Sequence, residues 1–507
     1  MDKILNIIKQ SFISFSGEIL VKILGFFFKL YLVHNLLDST LSLGIFALGI
    51  ALIDFISPFT SLGFGAVSSK YLPSWDVKKQ VKKKNNFIST VFFIVSLISL
   101  CFSLIIYFFK HNLFIYFSFI YKNSNQVIQS EFLFLLPIFI ILMILKHQTS
   151  ILNQILIGLK EVKKTVIYFN FIGFPLKFLL LIILLNIGLD FKGYLYSEII
   201  TLFFILISFI FIIKNILNEN YNFKISFDWV EKKVLIYAFT FFILGFLSKL
   251  TGFLDKWLIL KYMSVNDVGI YYVTFTFINF LPIVLKSINR IFAPIISEIW
   301  EQKNIQEIQN LYQFFTKWTV ILSFPIIFFV IFFNEKLLLL FGSGFVSGKY
   351  VLIILTFAHL ISIMFGSVRT ILQMTDKHIN LLGIEFLRTG IVVLSMILFI
   401  PIYQMEGAAL SLGVGIILNN VINYIILYKH LKLVPYKKDF WKIGVSIILT
   451  TFILYFTFNV LNNFVHLSNW FWMILFIFLS FIVTILLARY ICFSQMDKRV
   501  LLKILNK

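Results

Sequence analysis

Acidic side chains are scarce in this sequence. Asp and Glu number 23 among 507 residues against 44 Lys and Arg, and charged residues together make up only 13% of the chain. A soluble chain has about a quarter of its residues charged, so this one lacks the charge to clothe a wetted surface. Its 60% hydrophobic content, with 64 Phe, exceeds what a soluble core of this size hides. Cysteine is nearly absent. Cys101 and Cys492 both lie in apolar runs, which excludes a disulfide framework and a Cys/His zinc site. Long polar segments are missing too, since no connection between apolar runs is much longer than about twenty residues. That leaves no room for a soluble catalytic or nucleotide-binding domain. No H-E-x-x-H, Walker lysine or nucleophile elbow occurs. The glycine-rich Gly342-Ser-Gly344-Phe-Val-Ser-Gly348 follows an apolar run and lacks the strand–turn–helix setting of a phosphate loop. No cofactor, metal or enzymatic activity is therefore expected. The N-terminal residues lack the small-residue cleavage site of a signal peptide, so insertion is expected to rely on the first hydrophobic helix.

What is present is hydrophobicity in membrane-length pieces. Runs of about 20 apolar residues cross a bilayer core as helices. The sequence holds fourteen: 11–33, 43–65, 87–109, 131–153, 165–187, 193–214, 234–258, 268–290, 314–333, 350–371, 381–400, 405–428, 441–461 and 469–491. An all-α polytopic membrane protein is predicted. With the N-terminus placed inside, the inside segments carry 29 basic residues, among them Lys78, Lys79, Lys82, Lys83 and Lys84, and the outside segments carry six. The positive-inside rule then predicts both termini in the cytoplasm of a cell-membrane protein. This asymmetry accounts for most of the net charge of +21, and nucleic-acid binding is the poorer reading of it.

The first and seventh runs resemble each other. Lys22-Ile-Leu-Gly25-Phe-Phe-Phe-Lys29 matches Lys249-Leu-Thr-Gly252-Phe-Leu-Asp-Lys256 in the pattern K-x-x-G-F-x-x-K. Further on, Gly44-Ile-Phe46 matches Gly269-Ile-Tyr271, and Trp75 and Trp300 stand at equal distances beyond the two glycines. Two matches in order predict a duplication: a first six-helix lobe over 1–220, a second over 221–432, and two additional helices over 433–507. Six spans per copy give both copies the same orientation. Secondary transporters built this way hold their substrate at the repeat interface near the midplane.

Charges within the spans are costly, at about 2.5–3.5 kcal/mol each near the centre of an isolated helix. Lys22, Lys177 and Lys249 lie deep, and Lys29 and Lys256 one or two turns nearer the outer surface, whereas Lys286, Lys317 and Arg388 lie near cytoplasmic ends, where snorkelling accounts for them. Each lysine pair of the repeat shares a helical face, so a cationic cleft suited to a phosphate or diphosphate headgroup is predicted. The alternative is plain pairing: Lys22 with Glu18 one turn away, and Lys256 or Lys249 with Asp255. Of the deep acids, Asp54 and Glu198 either bind a coupling proton or sodium ion or serve as partners for Lys22 or Lys177.

The stretch from Lys249 to Lys432 resembles the second half of a polysaccharide-type flippase of the multidrug/oligosaccharidyl-lipid/polysaccharide exporter (MOP) superfamily. The resemblance is carried by Asp255-Lys256, Val268-Gly-Ile-Tyr271, Ala293-Pro-Ile-Ile-Ser297, Leu340-Phe-Gly342 and Met405-Glu-Gly407-Ala-Ala409. In the first half, Gly44-Ile-Phe46 and Ser61-Leu-Gly63-Phe-Gly65 are similar to the family's turns. It implies two six-helix lobes in a V around a central cavity, and alternating-access transport of polyprenyl-diphosphate-linked oligosaccharide to the outer leaflet. Coupling to a proton or sodium gradient is implied, as are membrane lipids, a polysaccharide polymerase and chain-length proteins as partners. The family's cationic cavity residues fall on Lys22 and Lys249, and more loosely on Lys29, Lys256 and Lys177. Family cavities often use arginine, and the deep positions here are lysine. The rival readings are a lipid II flippase, a cation-coupled drug exporter, whose substrates would prefer acids, and a membrane polysaccharide polymerase, which would need a long external loop.

Overall fold

A backbone crossing a bilayer has no water to bond to and must satisfy its own amides and carbonyls. In the computed structural model, which describes residues 2–36, 38–110, 126–217, 225–375, 378–437, 440–464 and 470–491, helices meet that demand and the described residues contain no strand. The first half comprises α1 (Asp2–Asn35), α2 (Ser39–Ser61), α3 (Phe64–Val77), α4 (Val81–Phe108), α5 (Gln126–Gly158), α6 (Val162–Asn186) and α7 (Asp190–Leu217). Next come α8 (Lys232–Tyr262), α9 (Val265–Ile278), α10 (Ile283–Glu301), α11 (Ile305–Phe332) and α12 (Asn334–Leu339). The chain closes with α13 (Lys349–Phe365), α14 (Val368–Met374), α15 (His378–Leu431), α16 (Trp441–Phe464) and α17 (Trp470–Ile491).

Among the described residues nine helices are long and apolar enough to cross a membrane, and the bent pair α9–α10 makes a tenth. That bend, 53°, falls where Pro282 interrupts the run. One of the nine, α15, is two passes in one, because Gln404 takes a left-handed φ of 55° and breaks the helix. The apolar stretches of α16 and α17 are shorter. Hydroxyls inside these apolar helices are satisfied by their own backbones: Ser99 donates to the Val95 carbonyl (2.6 Å), Thr201 to Ser197 (2.7 Å) and Thr356 to Leu352 (2.6 Å). Outward faces stay greasy, as Ile448, Phe452 and Phe456 of α16 show by their exposure.

Two breaks redirect the helices of the first half. At the end of α2, Leu62 and Gly63 both take positive φ (46° and 74°), and α3 starts in a new direction. A side chain at Gly63 would strike the Ala238 carbonyl of α8, so glycine is required there on two grounds. In α6, a π-helical stretch over Ile167–Gly173 ends two residues before Pro175.

By contact the chain divides into two units, Met1–Val273 with Val393–Ala408, and Thr274–Val392 with Ala409–Lys507. In the first, α2 is held between α8 and α5, and α5 also packs on α3, α4 and α7. At its polar edge Lys83 pairs with Glu231 ahead of α8 and holds that carboxyl below the usual range. In the second, α11 packs against α10, α13 and α17, around a core that includes Phe292, Tyr312, Ile371 and Leu427.

Within the first unit, the glycines matched by the repeat meet. A methyl group on Gly44 would run into the carbonyl of Val265, and one on Gly269 into the carbonyl of Thr40. Val265 stands four residues before Gly269, and Thr40 four before Gly44. Each glycine thus sits against the backbone one turn ahead of the other. Such reciprocity is the signature of a two-fold contact, here between the equivalent helices α2 and α9.

Candidate functional site

The deep charges of the first unit do not scatter. They gather in three groups, each built where helices cross. In the first, Asp54 of α2 is shared by two lysines: Lys146 of α5 donates to its Oδ1 at 3.0 Å, and Lys249 of α8 lies 3.4 Å from its Oδ2. These side chains remain 33%, 35% and 43% exposed in the order Asp54, Lys146, Lys249. One carboxylate between two ammonium groups leaves the group net cationic. One turn on from Lys249, a Cβ built on Gly252 would meet nothing within 4 Å, so open space borders the lysine.

The second group joins α6 and α7. Lys177 pairs with Glu198, and its ammonium lies 4.6 Å from the ring centre of Phe28 of α1 and 5.5 Å from that of Tyr194. Tyr194 packs in turn at a tilt against Phe46, and Phe46 contacts Tyr272 edge-on. Lys29 of α1 sits 4.2 Å over the Tyr272 ring. The third group is local to α8 and α9. Lys256 folds back on its own helix, donating to the Gly252 carbonyl (2.8 Å) and to Asp255 (3.1 Å), while Tyr271 lies 3.4 Å from the other Asp255 oxygen. Asp255 is buried. Lys22 is half-buried on α1, and the side chain of Glu18 lies outside the described residues.

Two of the pairings offered by the sequence are therefore present, Lys177 with Glu198 and Lys256 with Asp255. Asp54 is partnered by Lys146 together with Lys249. Hydropathy gives the depth of a charge but not the direction in which its helix turns it. Lys146 lies inside or at the margin of an apolar run beside His147, and nothing in the sequence ties it to Asp54 across 92 residues. Tyr194 and Tyr272 carried none, being two among 21 tyrosines.

In the second unit the arrangement is different. Glu385 accepts from Arg388 one turn later in α15, with Nε at 2.9 Å, and lies 3.4 Å from Arg369 of α14. Its side chain is 5% exposed. Arg388 does not snorkel, as its place near a span end suggests, but is held inward by a buried carboxylate that carries no distinguishing mark in the sequence.

The MatE family model matches residues 242–397. The fold is that of the MOP superfamily transporters. The chain is similar to the lipid II flippase MurJ in its inward closed conformation, with a TM-score of 0.70 and 20% identity, covering 94% of this chain and 97% of that one. An inward-facing multidrug resistance MATE transporter superposes with a TM-score of 0.65 and 12% identity over 83% of this chain and 98% of that one. A MOP superfamily transporter from Pyrococcus furiosus gives a TM-score of 0.61 at 12% identity, over 84% and 95%. No curated protein matches the sequence.

Proposed function

We propose that this protein moves a polyprenyl-diphosphate-linked oligosaccharide from the cytoplasmic to the outer leaflet of the cell membrane by alternating access, for assembly of a surface polysaccharide. One observation carries the reading: two half-exposed lysines, Lys249 and Lys146, share a single carboxylate beside open space. A diphosphate can take the place of Asp54 on either ammonium, because lysine acts as a point charge and re-aims its three donors freely. Lys22 and Lys29 lie in the same unit, whereas Lys177 is paired with Glu198 and Lys256 is engaged by its own helix. Cationic drugs would meet the wrong sign of charge. Both termini are placed in the cytoplasm on the distribution of basic residues. A proton or sodium gradient would drive the cycle, and a polymerase and chain-length proteins would use the product.

The test is a clean deletion in a cell without a redundant transporter. Lipid-linked repeat units are expected to accumulate on the inner leaflet and surface polymer to be lost; a persisting polymer would end the proposal. The fit to MurJ favours a second reading, lipid II as the substrate. That reading would be adopted if this chain sustained growth of cells depleted of their own lipid II flippase.

A further inference from the structure

Beyond the lysines, the first unit contains a pocket whose chemistry is different. It lies where α2 breaks into α3, has a volume of about 300 Å³, and is walled by α5 and by Phe241 of α8. Its polar lining comprises Ser57, Thr60 and Ser61 on α2 and His147, Ser150 and Gln154 on α5. On each helix these residues fall at intervals of three or four, so each presents one polar stripe, and the stripes share the pocket. No charged side chain lines it. In a chain so poor in polar residues, two facing stripes of neutral donors and acceptors call for an occupant.

Not every group in the lining is available. His147 is fixed by both ring nitrogens, Nε2 to the Ile53 carbonyl and Nδ1 to the Thr60 hydroxyl, both at 3.1 Å. A carbonyl only accepts, so Nε2 carries the proton, and the ring is a wall rather than a free ligand group. Three groups are left. The hydroxyls of Ser57 and Ser150 make no protein hydrogen bond among the described residues. Gln154 accepts from Ser69 at 3.3 Å through Oε1, which keeps its amide hydrogens for another partner. Phe241 supplies an apolar face. Hydroxyls that both donate and accept, an amide donor, an aromatic wall and no charge are the chemistry that recognises a sugar ring. The volume is at the small end for ligand sites and suits a single ring.

The position agrees with the chemistry. Ser57 stands one turn beyond Asp54 on α2, and Ser150 one turn beyond Lys146 on α5. A turn of helix is about 5.4 Å, so the pocket begins about one turn along both helices from the lysines that would hold an anion. We infer that this pocket receives the sugar attached directly to the diphosphate, so that the lysines hold the charge and the pocket reads the first ring. This rests on the flippase reading above.

The two ideas separate in one binding experiment on the full-length protein in nanodiscs. The probes are polyprenyl diphosphate, the same lipid bearing one hexose, and the free monosaccharide. The variants are Ser57→Ala with Ser150→Ala and Gln154→Ala combined, and Ser150→Phe, which fills the pocket from its exposed side. The wild-type protein should bind the glycosylated lipid about tenfold more tightly than the bare diphosphate, the value of two or three neutral hydrogen bonds. Both variants should bind the bare diphosphate like wild type, which also reports that they are folded, and should lose the sugar preference. If wild type binds neither lipid, the flippase reading fails. If it binds both equally, or if the variants keep the preference, the pocket holds only water and the inference is overturned while the flippase reading stands. Free monosaccharide stabilising the protein as strongly as the glycosylated lipid would assign the pocket to a soluble sugar and equally overturn it.

Discussion

Two carboxylates in this protein are each flanked by two cations, yet Asp54 and Glu385 sit in opposite settings. Asp54 lies among flexible lysines from two other helices, a third exposed, with distances of 3.0 and 3.4 Å. Glu385 lies buried between arginines, one on its own helix and one on the adjacent α14. An ion pair that water reaches contributes little to stability and exchanges partners cheaply. A buried one contributes little net but is costly to split, since the survivor is left charged and unpaired. The difference assigns exchange to Asp54 and anchoring to Glu385.

The largest effect that tests this contrast is Glu385→Ala. It strands the largely buried Arg388, while the half-exposed Arg369 returns to solvent, and is expected to cost about 3–5 kcal/mol, read as a large drop in melting temperature and in folded yield. Should the variant melt like wild type, the anchoring role is gone. Next is Lys249→Gln, for which melting should be unchanged while transport falls about tenfold or more, the value of a hydrogen bond to a charged group. Lys249→Arg should keep more transport than Lys249→Gln, because the charge survives although the geometry does not. Equal loss of stability and transport in both would make Lys249 structural, like Glu385. The smallest effect is that of Asp54→Asn. Removing the resident carboxylate should raise affinity for polyprenyl diphosphate a few-fold without altering stability, within the range of an exposed pair. Weaker binding in that variant would mean that Asp54 positions the lysines rather than competing with the ligand.

The contrast was only half legible in the sequence. Membrane-length apolar runs announce the helices, and Gly44 and Gly269, matched in the sequence, are brought together in the structure. Lys249 and Asp54 stood out because a charge in an apolar run needs a reason. Their pairing did not, because it depends on how α2, α5 and α8 are rotated about their axes, and an apolar run faces lipid or protein with similar residues. Glu385 escaped notice for a different reason: beside Arg388 near a span end it reads as an ordinary surface pair. The pocket at the α2–α3 break left a fainter trace. Ser61-Leu-Gly63-Phe-Gly65 marked the turn, but the hydroxyls around it passed as the scattered serines of any membrane helix.

The glycine contact between α2 and α9 has a consequence for how such a chain can change over generations. In a duplicated protein the two copies are ordinarily free to drift apart, each tolerating what the other does not. At this crossing that freedom is withdrawn, for a side chain added on either helix lands on the backbone of its counterpart. Neither glycine can take on a side chain without a clash against the backbone of the facing helix, so the two positions constrain each other.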